Sequence, residues 1–116
     1  MLKTAHTIIA YLIVALGSVH LGFTFIAYSR FSFGALWFIG SGLAIIFAGF
    51  LNIVLIRNAA MDNAAWLLCL IANATSALLF ALALTLFTEP QVFVGLGLFA
   101  FAAIATLLLR RTIIKL

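Results

Sequence analysis

Four apolar runs fill almost the whole of this 116-residue chain, at residues 5–28, 35–56, 64–87 and 92–109. Each has the length that a helix needs to cross a hydrocarbon core of roughly 30 Å. Hydrophobic residues make up 68% of the chain and charged residues 7%, far below the share of about 25% usual in soluble domains. Water is thereby excluded as the solvent, because four such runs leave almost no polar face to point outwards. A membrane barrel is excluded too. Barrel strands alternate apolar and polar residues, whereas stretches such as LAIIFAGF at residues 43–50 are apolar on all sides. Backbone polar groups in lipid must be satisfied within the segment, so the runs are helices.

The loops between the runs are short, residues 29–34, 57–63 and 88–91. Short loops make consecutive helices antiparallel neighbours. The expected fold is all-α: a polytopic membrane protein forming one up-down-up-down four-helix bundle over residues 1–116. The first run is too long for the apolar core of a signal peptide, about 7–15 residues, and is expected to be a retained span.

Basic residues set the expected orientation. Lys3, Arg57, Arg110, Arg111 and Lys115 fall on the side of the termini, and only Arg30 on the other. Positive charge favours the cytoplasmic side, so both termini are expected there. Scattered over span ends, these cations do not form the clustered basic face of a nucleic-acid binder. Helix starts are marked by Asp62 and Asn63 before the third run and by Glu89 and Pro90 before the fourth. Trp37 and Tyr28 are expected at the outer interface, and Trp66 and Tyr11 at the inner one. Five phenylalanines, Phe23, Phe25, Phe31, Phe33 and Phe38, crowd the outer quarter. They face lipid or line an apolar ligand pocket.

The membrane interior holds no Asp, Glu, Lys or Arg. Pumps, proton-coupled exporters and voltage sensors usually need one. Its absence, together with the lack of a catalytic motif, points to a non-enzymatic role. On a helical wheel each span has one stripe of small and polar residues: Ile13, Gly17, His20, Thr24 and Tyr28; Gly42, Ile45, Gly49 and Asn52; Trp66, Cys69, Asn73, Ser76 and Phe80; Gln91, Gly95, Phe99, Ala102 and Thr106. Small residues let helices approach and polar ones bond between them, so these stripes are the expected interior.

Depth sorts the polar members. Counted from the inner surface, His20 and Ser76 lie about 20 Å in, Asn73 about 13 Å and Asn52 about 7 Å. An upper layer of His20, Ser76 and Ser41 is expected, and a lower one of Asn52 and Asn73. His20, Thr24, Asn52, Asn73 and Ser76 are the candidate ligand contacts. His6 shares the face of His20 but lies about 21 Å away along the helix, so the two cannot share a metal, and no metal site is expected. Haem would require one His20 from each of two subunits, and no resident cofactor is expected. Cys69 is the single cysteine and reads as a small buried hydrophobe.

The ridge Gly40, Ala44 and Ala48 recurs every four residues on the second span, which suggests a homodimer through that helix. The expected partners are membrane lipids, an apolar or amphiphilic small molecule of the lipid or quinone kind, and a second copy of the chain. The alternatives are a homodimeric transporter or channel and an accessory subunit of a membrane complex.

In size and layout the chain resembles the small multidrug resistance transporters. Those carry an essential glutamate in the first span, and TIIAYLIVALGSVHLG at residues 7–22 has none, so their cation exchange is set aside. GSVHLGF at residues 17–23 and GALWFIGSGLAIIFAGFLNIVLIR at residues 34–57 resemble small bacterial four-helix proteins of the broad DoxX-like kind. That resemblance covers about the first half of the chain. It implies a bacterial inner-membrane location, and no catalytic residue is carried over from it.

Overall fold

The computed structural model describes residues 1–58, 62–86 and 88–114, with side chains through residue 109. It contains four helices: α1 (Leu2–Ala27), α2 (Phe33–Arg57), α3 (Asn63–Ala83) and α4 (Pro90–Ile114). All four are long and apolar enough to cross a membrane. They run up-down-up-down in a rod of 53 × 24 × 22 Å. α1 packs most closely on α2, and α3 on α4; α1 also meets α4, and α2 meets α3. The helices thus follow one another around the bundle, with α1 and α3 across its diagonal. One end carries Lys3 and Arg57 and is called the basic end. The other carries Tyr28, Phe33 and Phe38 and is called the aromatic end. Arg110, Arg111 and Lys115, three of the cations behind the expected orientation, lie outside the described side chains.

The helix boundaries follow local chemistry. α2 starts where the Ser32 hydroxyl accepts a bond from Ala35 N at 3.1 Å, a cap within the first loop. α3 starts where Asp62 Oδ1 accepts from Ala64 N at 3.0 Å, as its sequence position predicts. α4 starts at Pro90, also as predicted. The Glu89 carboxylate, however, accepts from Gln91 Nε2 at 2.6 Å instead of capping the backbone. α3 ends at Ala83, short of the predicted residue 87. Thr85 N and Leu86 N bond to the carbonyls of Leu82 and Ala83, three residues back, so the last turn is tighter than α-helix. Phe87 lies outside the described residues.

Small residues set the spacing within each pair. A Cβ at Gly17 would stand 2.8 Å from Ile46 N and 2.9 Å from Gly42 O, and one at Gly42 would stand 3.1 Å from Leu21 N. The backbones of α1 and α2 therefore touch; a side chain at Gly17 would force them apart, and one at Gly42 would need its neighbours to give by a few tenths of an ångström. Gly95 on α4 plays the same part for the Phe80 ring of α3, which a Cβ would strike. Phe80 then stacks on Phe99, with ring centroids 5.8 Å apart. Ile13, Ala48, Phe99 and Ala102 form the hydrophobic centre. Outside it, Phe25, Ile26, Leu79 and Leu86 leave most of their surface uncovered, which is stable only where lipid is the solvent. α3 is the least embedded helix, with only Cys69 and Asn73 buried.

One expectation about α2 needs correcting. Gly40 and Ala44 are exposed, but Ala48 belongs to the hydrophobic centre. A spacing of four residues overshoots one helical turn by about 40°. Two steps along the ridge therefore carry it from the lipid face into the interior, where Asn52 follows. The outward ridge is Gly40 and Ala44 alone.

Candidate functional site

Polar side chains gather in two places, and the two differ in how well they are satisfied. Towards the basic end, every helix contributes one polar side chain to a belt: His6 from α1, Asn52 from α2, Asn73 from α3 and Thr106 from α4. Cys69 lies one turn from Asn73. All five are fully buried. The bonding fixes how each group points. The Ala48 carbonyl can only accept, so the atom of Asn52 that lies 2.8 Å from it is Nδ2. Asn52 Nδ2 also donates to Asn73 Oδ1 at 2.8 Å, and Asn73 Nδ2 donates back to Asn52 Oδ1 at 2.9 Å. The two amides form a closed pair between α2 and α3.

The belt extends to both sides. His6 Nε2 lies 2.9 Å from Asn52 Oδ1. Since that oxygen can only accept, Nε2 carries a proton. Asn73 Nδ2 donates to Thr106 Oγ1 at 3.2 Å, and Thr106 donates to the Ala102 carbonyl at 2.7 Å. The Cys69 thiol donates to Asn52 Oδ1 at 3.4 Å. Trp66 Nε1 ties α3 to the Thr106 carbonyl of α4 at 2.8 Å, so this indole serves as a strut between the two helices. The belt leaves one atom without a partner, His6 Nδ1.

The second place is the aromatic end of the α1–α2 seam. His20 lies flat on Phe38, with centroids 3.8 Å apart and an angle of 14° between the rings. Tyr28 meets Phe38 edge-on at 5.7 Å, and Phe23 lies 6.4 Å from it. His20 Nε2 is enclosed and has no hydrogen-bond partner. One turn further along α1, Thr24 is 5% exposed, and its Oγ1 also has none. This departs from the habit of the other helical hydroxyls, on α1 as elsewhere. Ser18, Ser41, Thr75 and Thr106 each return their hydroxyl to the carbonyl four residues back, the usual way for a helix to satisfy such a group.

The expected layers are thus partly assembled. Asn52 and Asn73 meet as the lower layer, joined by Cys69 and Thr106 from their predicted stripes. His6 joins as well, although sequence reasoning weighed it only against His20. The upper layer does not form. Ser76 is half-buried on α3, Ser41 is exposed and bonded to the Trp37 carbonyl, and His20 reaches neither. The reason is the order around the bundle. α1 and α3 face each other across the diagonal, so equal depth does not bring His20 to Ser76. Of the five outer phenylalanines, Phe23 and Phe38 join the His20 cluster, while Phe25, Phe31 and Phe33 remain largely exposed. Among the described residues, no group of three histidine, cysteine or acidic side chains is placed to hold a metal ion.

The fold and its outward apolar faces define the class: a polytopic, all-α four-helix membrane protein. No family model matches the sequence, and comparison with curated proteins and with solved structures finds no match.

Proposed function

We propose that the chain is a non-enzymatic inner-membrane protein that binds an amphiphilic small molecule, of the lipid or quinone kind, beside His20 and Thr24. The observation that carries this reading is the pair of enclosed, unpartnered polar atoms one turn apart on α1. Leaving such a group unsatisfied in an apolar setting costs about 1–3 kcal/mol, and a ligand carbonyl or hydroxyl removes that cost. The His20 ring is only half-buried, so a turn about its side-chain bonds presents Nε2 to a ligand arriving from the lipid. Phe23, Tyr28 and Phe38 supply the apolar wall expected around a few polar contacts. Asn52 and Asn73 leave the list of ligand contacts, because they are spent on each other. The closed belt favours this reading over a conduit through one bundle, since a polar path would have to break it.

A photoreactive short-chain isoprenoid quinone, added to the protein in nanodiscs, tests the site. Label should map to α1 between Gly17 and Tyr28, and Thr24→Val should weaken capture about threefold to tenfold, the worth of one hydrogen bond. Label spread evenly over the exposed phenylalanines, or unchanged by Thr24→Val, would refute the site. In the same reading the basic end lies in the cytoplasm, because Lys3 and Arg57 mark it. A reporter fused after Leu116 should be active only in the cytoplasm, and one inserted at Arg30 only outside. The reverse pattern overturns the orientation.

A further inference from the structure

At the basic end a cleft of about 270 Å³ opens between α1 and α2, lined by Lys3, Thr7, Tyr11, Ile53, Ile56 and Arg57. We infer that it holds the phosphate headgroup of an anionic membrane lipid. Two cations from different helices line the same small space. Arg57 occupies the last turn of α2, and its planar guanidinium can grip a phosphate through two parallel bonds. Lys3 adds a second charge on a flexible stem. Tyr11 adds a phenolic donor. Thr7 does not, because its hydroxyl proton goes to the Lys3 carbonyl at 2.7 Å.

Among the described residues, no acidic side chain lines this cleft. The chain has two, and Glu89 is at the aromatic end while Asp62 caps α3 through Ala64 N. The field in the cleft is therefore positive, and the matching occupant is an anion. Ile53, Ile56 and the half-exposed ring of Tyr11 make the remaining wall apolar, which suits the first methylenes of an acyl chain and does not suit a free ion. The volume is below that of a typical pocket for a whole small molecule, about 300–1,000 Å³. It fits a headgroup whose tails stay in the bilayer. The cleft is separate from the His20 cluster, at the other end of the bundle, and does not depend on it.

The full chain in mild detergent, studied by native mass spectrometry with phosphatidylglycerol and phosphatidylcholine in equal amounts, tests the site. Phosphatidylglycerol should be retained in preference. Lys3→Gln and Arg57→Gln should each lower that preference about fivefold, the worth of one basic residue at a charged lipid surface. Arg57→Lys should lose part of it, since the charge stays and the paired bonds go. Arg30→Gln, at the aromatic end, should change nothing. Three results would overturn the inference: equal retention of both lipids by the unaltered chain, a preference that survives the Lys3 and Arg57 changes together, or loss of the bound lipid to millimolar inorganic phosphate.

Discussion

At the basic end of the bundle, four helices each give one polar side chain to a belt in which almost every donor and acceptor is used. At the aromatic end two polar atoms of the same helix, His20 Nε2 and Thr24 Oγ1, are enclosed and unused. Both ends lie in the same apolar chain and use the same kinds of side chain, so the difference is one of neighbours. His6 faces an amide on α2 that can accept its proton. His20 stacks on the ring of Phe38, and its Nε2 meets no hydrogen-bond partner. In lipid, where a polar group finds no water, a closed set of bonds holds helices together and an open one awaits a partner. The belt joins all four helices, and the aromatic end is where we propose that a ligand binds.

The largest expected effect lies in the belt. Asn52 joins α1, α2 and α3 through His6, Asn73 and Cys69, and also bonds the Ala48 carbonyl of its own helix. Asn52→Ala removes all of these at once and leaves buried donors without acceptors. It should destabilise the bundle by roughly 2–3 kcal/mol. His6→Leu should cost less than about 1 kcal/mol, because it ends one bond, keeps apolar volume and also removes the unpartnered Nδ1. Unfolding in graded detergent mixtures, followed by loss of helicity, measures both. Equal losses would mean that His6 anchors the belt as firmly as Asn52 does, and that Asn52 is not its hub.

Run length and loop length were enough to read the fold, because a bilayer admits so few ways of satisfying a backbone. Half of the polar geometry was also legible. Asn52, Cys69, Asn73 and Thr106 lie on the predicted inward stripes, and the depth count places the two asparagines in one lower layer. His6 carried the same signal. It lies about 5 Å inside Lys3, close to the depth of about 8 Å by which Asn52 lies inside Arg57. What a wheel cannot supply is the identity of the helix that a stripe meets. His20 and Ser76 share a depth, yet the ring order of the helices sends one to Phe38 and leaves the other half-buried on α3. The Ala48 correction has a related cause, since a four-residue ridge drifts around the helix and changes its neighbour within two steps.

The smallest expected effect is the sharpest test of the comparison, because one substitution is made at both ends. Thr106→Val removes a hydroxyl that donates to the Ala102 carbonyl and accepts from Asn73; it should cost about 1 kcal/mol. Thr24→Val removes a buried hydroxyl that has no partner. Shape is kept and an unsatisfied group disappears, so the protein without ligand should gain up to about 1 kcal/mol. The two changes therefore move thermal stability in opposite directions. Adding a short-chain isoprenoid quinone should raise the melting temperature of the unaltered protein, since a ligand that binds only the folded state stabilises it. It should raise that of Thr24→Val less, because one contact is gone. If Thr24→Val is destabilising to the same degree as Thr106→Val, the Thr24 hydroxyl is held within the fold. The two ends would then differ only in which residues close them.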